Sequence, residues 1–500
     1  MADATLDAEP AFPLLALRST RGRVALGATV GASAVASLDA TIASVALPRI
    51  GRDLDVDVAG LQWVLTGYLL TLASFILLGG ALGDRFGRRR LFLIGSVWFG
   101  AASIGCAVAP SIEVLVAARI LQGVGGALLT PASLALIQAS FRPDDRAPAV
   151  GAWSGLGGLA GAVGPFVGGW LVGGPGWRWA FLLNVPVLAA SSRAASAIPE
   201  SGDHRPGNAA RFDVAGAVLA AVALAATTWA LTSAAEGWGD ARVLVSLTVG
   251  GAAAAAFVVH ERRSSAPLVP GELFRSRTFT TLNLATFALY ACLGVVFFLV
   301  VFQLQVTAGW TPLAAGCALL PATVLMLVGS ARSGELAARI GPRPQLIAGP
   351  LLVAVAMFLL ARIDDTTSWL TDVLPASLVL GLGLVTFVAP LTATVMASVD
   401  ERLVSTGSGV NNAVARTAGL LAVAVVPTVS GFTAAVGVDA TNAAFRSAMY
   451  LTAGLAALGA SISAIGLPSS PRTRRSPRQL ICPVDGTPLQ PAPRRCDGTS

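Results

Sequence analysis

Long apolar runs follow one another along almost the whole chain, and they constrain its fold more than any other feature. One of them covers residues 278–302, and about 20 apolar residues cross the roughly 30 Å hydrocarbon core of a bilayer as a helix. The runs do not alternate in hydrophobicity as barrel strands would. Because a helix satisfies its own backbone hydrogen bonds in lipid, the sequence predicts an all-α integral membrane protein.

Breaks at Arg, Asp, Pro and Gly divide the runs into fourteen predicted spans. They lie near residues 24–48, 61–83, 91–110, 113–139, 147–174, 179–198, 214–235, 243–260, 278–302, 312–331, 345–361, 372–398, 403–431 and 444–467. Cytoplasmic loops are enriched in arginine. With both termini inside, the inner side holds 26 arginines, counting Arg193 near the inner end of its span, and the outer side holds six, counting Arg446 near the outer end of its span. A missed span would reverse this bias downstream, so the arginine distribution favours fourteen spans with both termini in the cytoplasm. We expect the protein to lie in the bacterial cytoplasmic membrane.

All 34 basic residues are arginine, and the absence of lysine argues against several activities. A phosphate-binding loop of the Walker type and a Schiff base each require a lysine. Cys482 and Cys496 have no histidine nearby, so they fall short of a four-ligand zinc site. Topology explains the net charge of +7 more simply than nucleic-acid binding does. We expect no metal, no cofactor, no catalytic residues and no nucleic-acid partner.

A charged loop after the second span has a counterpart late in the chain. GALGDRFGRRR (80–90) aligns with GELAARIGPRP (334–344), each after the second span of a six-span set, although Asp84 aligns with Ala338. Internal repeats of this kind are typical of secondary transporters, whose binding site lies between the halves near the bilayer midplane. We predict a cytoplasmic segment (1–22), a six-helix half (23–198), two inserted helices with their loops (199–277), a second six-helix half (278–467) and a disordered tail (468–500).

Further motifs appear in order along the chain. They are LDATIASVALPRI (38–50), RILQGVGGALLTPA (119–132), GAVGPFVGGWL (161–171), WRWAFLLNVP (177–186), QVTAGWTPLAAG (305–316), GLGLVTFVAPLT (381–392) and NNAVARTAG (411–419). Together with the loop Gly80-x-x-x-Asp84-Arg85-x-Gly87-Arg88-Arg89-Arg90, they resemble the major facilitator superfamily, and fourteen spans resemble its drug:proton antiporter branch. Ser44 stands where the first-helix motif usually has asparagine, and the last motif lacks a glutamine that often follows its arginine. The resemblance covers roughly residues 20–465.

Two ionisable residues fall deep inside predicted spans, Asp39 in the first and Arg119 in the fourth. At 1.5 Å per residue their predicted depths nearly coincide, and the resemblance places both helices at one central cavity. An ionisable group at membrane depth is a functional hypothesis by default. We expect Asp39 to bind the exchanged proton while Arg119 holds it ionised, since an adjacent cation favours the carboxylate and burial favours the acid. The alternative is a static ion pair that fixes helix packing.

Two glycine-containing motifs are expected to serve conformational change. The resemblance implies an antiporter motif in the fifth span, formed by Gly161, Gly164, Pro165, Gly168 and Gly169, that seals or bends between two access states. Ordinary close packing of small residues is the alternative. It also implies a conformational latch between the halves in the first loop, formed by Gly80, Asp84, Arg85, Gly87, Arg88 and Arg89. Arginines that only orient the chain are the alternative there.

The predicted substrate cavity rests on polar and aromatic side chains near its expected walls. These are Trp63, Tyr68, Gln122, Gln305, Asn411, Asn412 and Arg416, since ligand pockets join apolar walls to a few polar groups. For each of them, an interface anchor or an interhelical hydrogen bond is an equally good interpretation.

These features favour a monomeric, proton-coupled exporter of amphipathic or cationic organic compounds such as antibiotics, driven by the proton gradient across the lipid bilayer. A proton-coupled importer with the same fold is the alternative, and the fifth-span motif argues against it. A membrane-embedded enzyme or receptor is disfavoured, because the sequence contains no recognisable catalytic triad or metal cluster.

Overall fold

The computed structural model describes residues 14–196, 198, 213–234, 237–265, 267–400 and 403–468, and these residues are almost entirely helical. The helices are α1 (Thr20–Leu54), α2 (Val58–Phe86), α3 (Arg88–Val108), α4 (Ile112–Ser140), α5 (Pro143–Gly173), α6 (Arg178–Leu182), α7 (Asn184–Ala195), α8 (Val214–Ser233), α9 (Ala241–Arg263), α10 (Arg277–Val306), α11 (Pro312–Cys317), α12 (Leu320–Ile340), α13 (Pro342–Leu360), α14 (Leu374–Ala397), α15 (Val404–Val429) and α16 (Val438–Gly466). The predicted tail, with Cys482 and Cys496, lies outside the described residues.

Eleven helical stretches in this part of the chain are long and apolar enough to cross a membrane. The chain is therefore an all-helical, multi-pass membrane protein. Helices α2 and α5 contribute shorter apolar stretches, Gly60–Ile76 and Val163–Gly173. The total of fourteen spans stays a prediction.

Two of the predicted spans contain a break in the helix. The span predicted at 179–198 consists of α6 and α7, and the span predicted at 312–331 begins with α11 and continues as α12. A proline closely follows each break, Pro186 in α7 and Pro321 in α12. Proline has no N–H to donate to the carbonyl four residues earlier, so the helical hydrogen-bond ladder is interrupted there.

The helices of the two halves pack in the same pattern. In the first half, α1 packs on α5 and α7, α4 packs on α2 and α3, and α3 packs on α7. In the second half, α10 packs on α15 and α16, α14 packs on α12 and α13, and α13 packs on α16. The repeat seen in the two charged loops is thus also a repeat of helix packing.

The two charged loops share a backbone conformation and an arginine contact. Gly87 and Gly341, which precede α3 and α13, have φ angles of 101° and 84°. Two residues later, Arg89 donates to the carbonyl of Ile198 at 3.0 Å, and Arg343 donates to the carbonyl of Ala464 at 2.8 Å. Arg343 therefore binds a carbonyl in the last turn of α16, where a cation is stabilised by the helix dipole, and Arg89 binds a carbonyl three residues beyond the end of α7.

Replacing Gly341 with alanine should destabilise the second half. Its φ of 84° and ψ of 154° lie in a region that is essentially restricted to glycine, and such strain costs about 1–3 kcal/mol. The midpoint of thermal unfolding, measured by fluorescence on purified protein, should fall. Gly334→Ala is the matched control, because it lies inside α12 and a Cβ atom there would meet nothing within 4 Å. Equal melting temperatures for the two variants would contradict the assignment.

The inserted helices α8 and α9 pack on each other, and α8 also packs on α2 and α15. Trp229 of α8 contacts Trp63 of α2, with ring centroids 5.0 Å apart. Since α2 belongs to the first half and α15 to the second, α8 lies against the boundary between the halves.

Candidate functional site: a buried ion pair and an open arginine

Asp39 lies at the centre of a buried polar cluster in the first half. Its Oδ2 accepts a hydrogen bond from Arg119 Nη1 at 2.5 Å, and its Oδ1 accepts from Gln122 Nε2 at 2.9 Å and from Asn184 Nδ2 at 2.7 Å. The side chains of Asp39 and Arg119 are 1% and 0% exposed. Helices α1, α4 and α7 thus bring together the two ionisable residues singled out in the sequence.

Arg119 is held by two further helices besides α1. Its Nε donates to the carbonyl of Val64 on α2 at 2.9 Å. Its guanidinium carbon lies 4.3 Å from the centre of the Tyr68 ring and 5.6 Å from that of Phe181, distances at which a cation is attracted to an aromatic face. The charge is therefore paired, hydrogen-bonded and stacked, which is the arrangement that makes a buried cation tolerable.

Two members of the cluster, Ser103 and Asn184, were missed in the sequence. Gln122 Nε2 donates to Ser103 Oγ at 2.8 Å, and Asn184 Nδ2 lies 3.2 Å from the same oxygen. Asn184 opens α7 directly after the helix break, so the break in the WRWAFLLNVP stretch carries an amide into the cluster. That amide beside Pro186 was the available signal, whereas a serine in a membrane span carries none.

Asp39 supplies the carboxyl group of the cluster. The guanidinium of Arg119 stays protonated in proteins, and the carboxamides of Gln122 and Asn184 do not titrate. Among the described residues, Asn184 Oδ1 and Arg119 Nη2 have no hydrogen-bond partner. A protonated Asp39 would need an acceptor, and the unpaired Asn184 oxygen belongs to a side chain already in contact with it.

The glycines of the α5 motif face α1 on one side. A Cβ atom at Gly164 would lie 1.9 Å from Thr41 Oγ1, and one at Gly168 would lie 3.1 Å from Ile42 Cα. At Gly161 the nearest atom would be 3.8 Å away, which is an ordinary contact. Small residues at positions 164 and 168 thus allow close approach of α5 and α1 within the first half.

The same motif also contacts the second half. A Cβ atom at Gly169 would lie 2.5 Å from Leu313 Cα on α11, and one at Gly316 would lie 2.3 Å from the carbonyl oxygen of Pro165. Helix α5 continues through Pro165 to Gly173, so the proline does not break it. The motif therefore forms a backbone-to-backbone contact between the halves.

Other contacts between the halves lie at the same end of the helix bundle. We define the distal end as the end at which α1 terminates. Gln62 Nε2 at the start of α2 donates to the carbonyl of Val423 at 3.0 Å, and Gln305 Nε2 near the end of α10 donates to that of Val45 at 2.9 Å. With the Gly169 contact, these bonds hold the two halves together at the distal end.

Five of the seven predicted cavity residues take part in packing or hydrogen bonds between helices. Tyr68 and Gln122 belong to the Asp39 cluster, Trp63 packs on α8, and Gln305 joins the halves. Asn411 Nδ2 donates to Asn283 Oδ1 at 3.1 Å and to Thr286 Oγ1 at 2.9 Å, both on α10. The structure thus places these five in contacts between helices instead of on an open wall.

The remaining two, Asn412 and Arg416, lie on an accessible face of α15. Asn412 is exposed and Arg416 is partly buried. Arg416 Nε donates to Asn412 Oδ1 at 3.2 Å, one helical turn away. These two residues keep polar groups directed toward open space.

The predicted latch is described only in part. Gly87 adopts its positive φ, Arg89 binds the end of the first half, and a Cβ atom at Gly80 would lie 3.7 Å from Pro131 Cβ. The side chains of Asp84 and Arg85 lie outside the described part. The latch between halves therefore stays a hypothesis.

Comparison with known proteins agrees with this architecture. Residues 29–423 match the Major Facilitator Superfamily. The chain is 36% identical over 418 residues to the tetracenomycin C resistance and export protein of Streptomyces glaucescens, covering 83% of this chain and 77% of that protein. It is 37% identical over 410 residues to the puromycin resistance protein pur8 of Streptomyces alboniger, covering 80% of each.

Solved structures share the fold at low sequence identity. A crystal structure of the peptide transporter POT in complex with sulfate has a TM-score of 0.66 at 15% identity, over 90% of this chain and 96% of that one. A bacterial homolog of the human lysosomal transporter Spinster, inward-facing and unoccupied, has a TM-score of 0.63 at 17% identity, over 90% and 97%.

The helical architecture, the family match and the relatives together show a multi-pass membrane transporter and not an enzyme. The chain belongs to the Major Facilitator Superfamily, and its relatives place it in the drug-efflux branch.

Proposed function

We propose that the protein exports amphipathic organic compounds, including antibiotics, across the bacterial cytoplasmic membrane in exchange for protons. The observation that carries the proposal is the fully buried contact between Asp39 and Arg119, because an intramembrane carboxylate is a proton-relay candidate by default. The relatives support the export direction, since two are named for resistance to, or export of, tetracenomycin C and puromycin.

In this proposal, Asp39 alternates between two hydrogen-bonding arrangements, one for its ionised form and one for its protonated form. When ionised it is bound by Arg119, Gln122 and Asn184. When protonated it would release Arg119 and donate to an acceptor, for which the unpaired Asn184 Oδ1 is available. If Arg119 changed its partners, its contact with the Tyr68 ring on α2 would change as well. Helix α2 also contacts the second half through Gln62.

The distal contacts fit one of the two states of an alternating-access cycle. If both termini are cytoplasmic and the chain crosses the bilayer fourteen times, the distal end is the outer end, and the described state is closed to the outside. Export would then require the contacts of Gly169, Gln62 and Gln305 to separate. The proton gradient would supply the energy, with no cofactor.

Transport into inside-out membrane vesicles tests the direction and the coupling together. We expect tetracenomycin C to accumulate in the vesicle lumen when the lumen is acidified, and to leave again when a protonophore collapses the gradient. A proton-coupled importer would instead release preloaded compound on acidification, which would overturn the proposal. Vesicles without the protein provide the baseline.

A further inference from the structure

Arg416 lies near the middle of α15 on a face that is open to space. A Cβ atom at Gly409 would meet nothing within 4 Å, Asn412 is exposed, and Arg416 is partly buried. The spacing of these positions, three and then four residues, places them on one face of the helix. We call this face, formed by Gly409, Asn412 and Arg416, the open face of α15. It carries the guanidinium of Arg416.

The open face belongs to a helix at the boundary between the halves. Helix α15, which carries Arg416, packs on α2 of the first half and on α10 of the second. The guanidinium is therefore carried by an element that contacts both halves.

Arg416 differs from Arg119 because it lacks a counter-ion. Among the described residues, no Asp or Glu carboxylate lies within 4.0 Å of its guanidinium, whereas Arg119 is paired with Asp39. An unpaired charge at membrane depth is costly, and by default it indicates a functional site. The site thus presents one uncompensated positive charge.

The hydrogen bond to Asn412 orients the Arg416 guanidinium so that it can bind a planar ligand. Asn412 Oδ1 accepts from Nε, which fixes one edge of the guanidinium and leaves both terminal nitrogens without acceptors in the described part of the chain. Two parallel N–H donors match a carboxylate or another delocalised oxyanion. The exposed Asn412 amide can add a further donor beside them.

We propose that Arg416 binds an anionic oxygen of the exported compound, so that acidic amphiphiles are preferred over neutral and cationic ones. This inference rests on the proposed export function and specifies its substrate class. A positive charge without a counter-ion repels cations by the same field that attracts anions, so the cationic compounds expected from the sequence become the poorer substrates.

Binding of a matched probe series to the purified protein in phosphatidylcholine nanodiscs tests this inference. The probes are pyrenebutyric acid, its methyl ester and pyrenebutylamine, which share one apolar body. We expect the acid to bind at least about tenfold more tightly than the ester, since charge-assisted bidentate bonds are among the strong ones. In Arg416→Gln, the acid and the ester should bind equally well.

Two further variants keep the test decisive. Arg446 is an exposed arginine of α16. Arg446→Gln should leave the ratio of the affinities for the acid and the ester unchanged. Arg416→Lys keeps the charge but loses the planar fork, so it should retain part of the preference, and it serves if the glutamine variant does not fold. An unchanged ratio in Arg416→Gln, or tightest binding of the amine, would overturn the inference.

The outcomes also separate this inference from the proposed function. Binding in nanodiscs requires no gradient, so a preference for the acid together with failure of acid-driven vesicle uptake would refute export coupling alone. Loss of the preference when phosphatidylglycerol replaces phosphatidylcholine would mean that an anionic lipid headgroup occupies Arg416, which would contradict a substrate site.

Discussion

Asp39→Asn should abolish proton-driven transport, lowering the initial rate of substrate accumulation in acidified inside-out vesicles at least about 100-fold, because it removes the carboxyl group that we propose as the proton site. The amide is nearly isosteric with the carboxylate. Its oxygen can still accept from Asn184 and Gln122, but its NH2 group would then replace the oxygen that accepts from Arg119.

A purely structural role for the ion pair would have a different signature. Asp39→Asn leaves the Arg119 charge buried and unpaired, and breaking a buried pair costs about 3–5 kcal/mol. The double variant Asp39→Asn/Arg119→Gln removes that penalty. We expect it to regain thermal stability without regaining transport, and recovery of transport in the double variant would contradict a proton site at Asp39.

Asp53→Asn is the matched control for this experiment. It places the same substitution on the same helix, but near the distal end, where Asp53 pairs with Arg49 and is 32% exposed. Exposed pairs contribute about 0–1 kcal/mol, so both transport and stability should stay close to those of the unmodified protein.

Gly169→Leu should also abolish transport, by preventing closure of the distal end. A Cβ atom at this position would lie 2.5 Å from Leu313 Cα and 2.8 Å from the carbonyl oxygen of Pro312. These are backbone atoms, which cannot rotate away as a flexible side chain can. Helices α5 and α11 would have to separate, so the distal-closed state should disappear from the cycle.

The distance between the halves at the distal end measures this effect directly. Spin labels on Arg52→Cys and Val436→Cys, both at exposed distal positions, should report a longer distance in Gly169→Leu. Gly173→Leu is the control on the same helix, since a Cβ atom there would meet nothing within 4 Å. Unchanged distances together with lost transport would indicate that the α5–α11 contact is not the closing element.

The sequence predicted part of the candidate site, and there is a physical reason why it could not predict the rest. Counting residues from the membrane edge gave Asp39 and Arg119 a common depth, because a helix rises by a fixed distance per residue. The rotation of each helix about its axis cannot be counted in this way. Tyr68 and Gln122 were therefore expected on the cavity wall, whereas they face the Asp39 cluster.

The prolines show the same limit of what can be predicted from the sequence. Pro186 and Pro321 stand in the sequence at the positions where hydrogen bonds are lost, yet Pro165 lies within α5, which continues past it. A missing donor is a local property, whereas its consequence depends on whether neighbouring helices hold the chain in place. Only the structure distinguished these prolines.

The sequence by itself determined that this chain is a helical membrane protein with a repeated half, because transfer into lipid and the arginine bias of inner loops depend on composition along the chain. The tertiary structure decided which polar groups meet. It brought Ser103 and Asn184 to Asp39, placed Gly169 against α11, and left Arg416 without a carboxylate partner among the described residues. These outcomes depend on helix rotation and close approach, which packing between distant segments sets.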